Sequence, residues 1–130
     1  MPEVFDLGRG QVWYTQFPFE DDLTKSKDRT CLIIGWSSFG LNDDQMIWVM
    51  PIFSFDGDSS KAKSNDILLD AFGIEFLKKG SYLRASRVAA VGPNNILKRD
   101  GYLGTVPVEV VNHAIDAMVK VIERKSPIES

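Results

Sequence analysis

The chain has 130 residues, 44% of them hydrophobic and 25% charged, with a net charge of −3. That length fits one domain, residues 1–130, with a sizeable core, and the acidic balance argues against nucleic-acid binding through bulk positive charge. The single cysteine, Cys31, excludes an intramolecular disulfide and a cysteine-held zinc, and the single histidine, His113, excludes a two-histidine acid/base pair.

No apolar run approaches the roughly 18 residues of a membrane span. Met1-Pro2-Glu3 lacks the basic and then apolar regions of a secretory signal, so the expectation is a cytoplasmic protein with no membrane partner. The cations nevertheless fall in local groups, including Lys25, Lys27 and Arg29, then Arg84 and Arg87, which leaves room for a local basic groove.

In chain order, Gln11 to Phe17 reads as a strand with Trp13, Thr15 and Phe17 on one face and Val12 and Tyr14 on the other. Pro18 ends it, and the polar stretch from Phe19 to Asp28 reads as an exposed loop. A second strand, about Thr30 to Trp36, is apolar almost throughout and suits a central position in a barrel or sandwich. Ser37 to Gln45 reads as a turn, and Met46 to Phe53 as a third strand, again apolar on both faces. Strands of this kind need a covering layer on each side, supplied by a helix or by a second subunit.

Asp56 to Asn65 is the most loop-like stretch. A short strand over Asp66 to Leu69, a helical turn within Ala71 to Lys79, and a strand over Ser81 to Val91 follow. Gly92-Pro93-Asn94-Asn95 reads as a turn and Ile96 to Leu103 as a short edge strand. The terminal helix starts at Pro107 and carries Val110, Val111, Ala114, Ile115, Met118, Val121 and Ile122 at helical spacing. At about 100° per residue these fill an arc of roughly 140°. The expected fold is therefore mainly β with a C-terminal helix, a small and strongly curved barrel or half-barrel.

The residue inventory narrows the chemistry. There is no Gly-rich phosphate loop and no nucleophile-elbow serine motif. The acidic clusters, such as Glu20-Asp21-Asp22 and Asp43-Asp44, lie in loop-like sequence where solvation explains them, so no metal and no cofactor is expected. Cys31, inside an apolar run, reads as a small buried hydrophobe rather than a reactive thiol, and His113 as a solvated helix residue. What remains is chemistry run on cations and hydroxyls, such as RNA cleavage by internal attack of the 2′-hydroxyl. There the protein orients the phosphate and stabilises charge on its oxygens. Arg29, where a cationic loop meets a buried strand, has the bidentate fork for that role; taken alone, it equally suits a solubilised strand end.

One ordered set of segments resembles a known family. Arg9-Gly10-Gln11-Val12-Trp13, Phe17-Pro18-Phe19, Lys27-Asp28-Arg29-Thr30-Cys31-Leu32-Ile33-Ile34 and Pro51-Ile52-Phe53-Ser54 look like the PemK/MazF toxins of toxin-antitoxin operons. Ser81-Tyr82-Leu83-Arg84, with Arg87-Val88 and the terminal helix, is similar to that family's second half. The resemblance implies an SH3-like barrel of the PemK/MazF/CcdB-like type, a homodimer, and a metal-independent endoribonuclease acting on single-stranded RNA with an antitoxin protein as partner. Arg29 matches the family's catalytic arginine, and a ribonuclease reading puts it on the scissile phosphate with Ser54 supplying the hydroxyl and Lys25, Lys27, Phe19 and Thr30 contacting RNA. Two positions depart from the family pattern: Thr30 stands where the family has proline, and Phe53 where it has the hydroxyl residue. Because side chains alternate along a strand, Ser54 is expected on the face opposite Arg29 unless the strand bulges. The alternative is a toxin-fold module that binds RNA or a protein without cleavage. A third, by analogy with a relative of the same fold, is a poison of a protein target such as a topoisomerase.

Overall fold

The fold is known from a computed structural model that describes residues 7–18, 26–39, 44–55, 66–77, 80–96 and 101–123. Strands β1 (Gln11–Pro18), β2 (Ser26–Phe39) and β3 (Asp44–Ser54) form an antiparallel meander. They are followed by β4 (Asp66–Leu68), β5 (Ser81–Arg84), β6 (Ala89–Val91), β7 (Tyr102–Thr105) and helix α1 (Val108–Glu123). The strand order is β4-β5-β3-β2-β1-β7, with β6 also paired to β3.

The long strand β3 sets the curvature. Its first half pairs with β6 through Ile47↔Val91 to Val49↔Ala89, and its last residues pair with β5 through Ile52↔Leu83 to Ser54↔Ser81. Beyond β6, Ile96 bridges back to Thr15 of β1 and closes a small barrel. A register shift between Ile33 and Gly35 in β2 adds the local twist that such closure needs.

Both faces of the central strands are covered within the chain. Trp13, Phe17, Cys31, Ile33, Ile47, Val49, Val91 and Ile96 form a buried cluster inside the barrel. The alternate residues Val12, Leu32, Ile34, Met50 and Ile52 pack with Leu83 against Val110, Val111 and Ala114 of the helix. The two-faced apolar strands thus need no second subunit to explain them.

Several expected boundaries change. The stretch Ser81 to Val91 is two strands, not one, broken by a 3₁₀ turn at Ala85–Arg87. The helical turn expected within Ala71 to Lys79 lies earlier, as a 3₁₀ turn at Leu69–Phe72 ended by Gly73 in the left-handed conformation (φ 63°) that glycine adopts without steric cost. Strand β2 begins at Ser26, so the cationic end of the expected loop is itself strand. On the helix, Ile122 is 71% exposed, off the buried face that its spacing suggested. The loop-like stretch Asp56 to Asn65 lies outside the described residues.

Burial settles the reading of Cys31. Its thiol is fully enclosed, and loss of water pushes its pKa from 9.0 up to about 12 against smaller opposing effects of a Thr15 hydrogen bond and the Arg29 charge. Because the folded value lies above the unfolded one, the unfolded chain releases this proton first. The corresponding stability is fully present below pH 9.0 and declines as pH rises toward about 12. A thiol-disulfide reagent at pH 8 is expected to leave the native protein unmodified and to label it once unfolded. Rapid labelling of native protein would contradict this burial.

Candidate nucleic-acid interface at the barrel end

Arg29 follows from the pleat of β2. It lies two residues before Cys31 on the barrel-interior face, opposite Thr15 of β1, at the end where the strands leave the core. Phe53 lies two residues beyond Pro51 on β3, and Pro51 pairs with Cys31, so the same alternation carries Phe53 toward Arg29. The Arg29 guanidinium carbon sits 4.8 Å from the centre of the Phe53 ring. The half-buried side chain of Arg29 is thus held against a ring rather than free in solvent.

Two more arginines reach that ring. Arg84, on β5, lies 5.2 Å from the Phe53 centroid and 5.2 Å from that of Tyr82. Arg87, from the 3₁₀ turn after β5, lies 5.8 Å from Phe53 and 5.9 Å from Phe17. Pairing of Phe53 with Tyr82 across β3 and β5 stacks their rings at 5.6 Å, and Phe55 packs on Tyr82 at 5.0 Å. The result is an aromatic row bordered by three guanidinium groups.

Each cation–ring contact at a partly exposed site contributes about 0.5–1 kcal/mol. Repulsion among three like charges opposes it. Asp66, on β4 opposite Arg84, removes part of that repulsion: its Oδ2 accepts from Arg84 Nη2 at 3.0 Å and its Oδ1 from Nε at 3.3 Å. The Asp66 side chain is 2% exposed and that of Arg84 19%. This fork-to-carboxylate geometry fixes Arg84 in orientation as well as in charge.

The opposite face of the same strands carries a different surface. A groove of about 310 Å³ is lined by Tyr14, Thr30, Ile52, Ser54, Phe76 and Leu103, and Phe53 lines it as well. Ser54 pairs with Ser81 in unbroken register, so no bulge turns its hydroxyl toward Arg29. Thr15 is the hydroxyl residue opposite Arg29 in the β1–β2 ladder, but it is wholly buried and donates to the Trp13 carbonyl at 3.2 Å.

The residues singled out from the sequence therefore divide. Arg29 and the exposed Lys27 share one face of β2, whereas Thr30 and Ser54 line the groove on the other. Lys25 and Phe19 lie outside the described residues. Arg84, Arg87, Asp66 and Tyr82 were not singled out as site residues. Their contribution depends on β3–β5 pairing across more than one loop; the local signals are the cationic pair Arg84 and Arg87 and the shared strand face of Tyr82 and Arg84. Among the described residues no group of histidine, cysteine and carboxylate side chains is arranged to hold a metal.

No family model and no curated protein matches this chain. Among solved structures it is similar to an endoribonuclease from a mycobacterial species, solved in complex with its cognate antitoxin. The similarity has a TM-score of 0.58 at 16% sequence identity and covers 92% of this chain and 97% of that one. The chain therefore shares the fold of that structure: a curved, mainly antiparallel β-sheet closed as a barrel with one C-terminal helix.

Proposed function

We propose that this protein is a PemK/MazF-type toxin that grips single-stranded RNA at the barrel end and cleaves it without metal. The convergence of Arg29, Arg84 and Arg87 on Phe53 carries the reading. It concentrates phosphate-binding cations on one face of an otherwise acidic protein, with Lys27 on the same face of β2. Phe55, half-buried at the end of the aromatic row, suits stacking by an unpaired base.

In the reaction the substrate's 2′-oxygen attacks phosphorus in line and the bond to the 5′-oxygen breaks, giving a 2′,3′-cyclic phosphate and a 5′-hydroxyl. The 2′-proton passes to water, and the departing oxygen takes a proton from solvent. Arg29 donates to the non-bridging oxygens, whose charge grows in the transition state, and Arg87 adds to the same field.

An antitoxin partner is proposed from the fold, since the similar endoribonuclease was solved with its own. A homodimer is proposed from two exposed tryptophans near the far end of the β2–β3 pair, Trp36, which pairs with Ile47, and Trp48, which pairs with Gly35, each large enough to anchor an apolar contact. Cytoplasmic action follows from the proposed RNA target.

A second reading, binding without cleavage, is favoured by the Phe53 ring beside Arg29 and by Ser54 facing the other way. Incubating the protein with a long single-stranded RNA in chelator separates the two. Fragments bearing cyclic phosphate support the nuclease; intact RNA that co-migrates with the protein supports the binder; intact, unbound RNA overturns both. If only a hydroxyl has been lost, Phe53→Thr is expected to start cleavage in a protein that otherwise only binds.

A further inference from the structure

We infer that Phe53 is a positioning residue: its ring holds the Arg29 guanidinium in a fixed pose from which it takes a phosphodiester oxygen. This inference rests on the RNA reading above and assigns the ring a role distinct from that of the hydroxyl it replaces.

A long arginine side chain at a strand end has many rotamers, and ordering them on binding costs affinity. At Arg29 that ordering is already done in the free protein, because the guanidinium lies over the ring at 4.8 Å. The ring is itself fixed from two sides. Tyr82 stacks on it at an interplanar angle of 25°, and Arg84 packs over both rings while Asp66 holds its fork. Phe53 thus transmits the order of the β3–β5 pair to a residue on β2. The ring has Arg29 at 4.8 Å and Arg87 at 5.8 Å from its centre, so it bears on both cations.

A guanidinium whose carbon lies over a ring still carries its N–H groups around its planar rim, where other acceptors can reach them. A planar cation presented in this way favours a phosphate approaching edge-on over a stacked base. The occupant of this pose is therefore the backbone, and stacking falls to rings elsewhere on the surface.

The test compares wild type with Phe53→Tyr, which keeps the ring, and with Phe53→Leu and Phe53→Met, which keep bulk without it. The ligand is a single-stranded oligoribonucleotide bearing 2′-O-methyl groups throughout, so that binding is read without cleavage. The Nε proton of Arg29, assigned by Arg29→Lys, reports the ring current in each protein by NMR. The expected result is an Arg29 signal shifted by the ring in wild type and Phe53→Tyr and unshifted in the other two. RNA affinity is expected to fall about fivefold in Phe53→Leu and Phe53→Met and to stay near wild type in Phe53→Tyr. Equal affinity in all four proteins, or an Arg29 signal indifferent to the ring, overturns the inference while leaving the RNA reading intact. Wild-type protein that binds no RNA overturns the RNA reading instead, and the Arg29 signal then decides separately whether the ring holds the guanidinium.

Discussion

Arg29→Ala is expected to lower metal-free RNA cleavage at least about a hundredfold, the scale on which removal of one positioned donor to a developing oxyanion acts. The backbone of residue 29 lies in the β1–β2 ladder, and alanine fits there without strain, so the barrel remains folded. The loss of folding stability is limited to one cation–ring contact, about 1 kcal/mol or less. Arg29→Lys keeps the charge but replaces a planar fork with a point cation, and should fall between alanine and wild type. Single-turnover cleavage in chelator measures the rate, and circular dichroism confirms that each variant is folded. Arg29→Ala protein that cleaves as fast as wild type would remove Arg29 from the chemistry.

The largest expected effect on stability comes from Asp66→Ala. The carboxylate is almost fully enclosed and meets Arg84 through two hydrogen bonds, so its removal strands a largely enclosed guanidinium beside two other arginines. Breaking such a pair from one side costs about 3 kcal/mol, less where water can reach the remaining charge. For a domain of this size that corresponds to a fall in melting temperature of roughly 10 °C. Asp66→Ala combined with Arg84→Met should recover part of the loss, because the orphaned charge goes with its partner. Thermal unfolding of the two single variants and the double variant measures the coupling. Strictly additive losses would show that the pair contributes nothing beyond its separate side chains.

These two residues differ in how far the sequence exposes them. Arg29 stands out at the junction of a polar, charge-rich stretch with a buried strand, and the resemblance to the PemK/MazF toxins adds weight. Asp66 looks like any acidic residue after a loop, because its partner is 18 positions away on a neighbouring strand. The first three strands and the helix are legible because alternation and helical spacing are local properties. Ser81 to Val91 is not: Arg84 to Arg87 is too brief a polar interruption to mark the 3₁₀ turn that separates two strands with different stretches of β3 as partners. Arg84 and Arg87 are visible as a cationic pair in the sequence, but their convergence on Phe53 is hidden for the same reason. The expectation that alternation would send Ser54 away from Arg29 was legible, because it depends only on a two-residue period, and the unbroken β3–β5 register agrees with it.

Strand β1 lies between β2, which follows it directly, and β7, which begins at Tyr102. Gly10 extends that junction: its N–H donates to the Ile33 carbonyl and its carbonyl accepts from Val106 N–H, both at 2.8 Å. A chain emerging from the ribosome therefore has Arg29 and Phe53 long before it has the partners that close the barrel. Contacts spanning such long loops form late, because closure entropy must be overcome before they add stability. The arginine cluster, which needs Arg84 and Arg87 as well as Arg29, is thus assembled late in synthesis, and the proposed phosphate-binding surface is missing from the growing polypeptide until then.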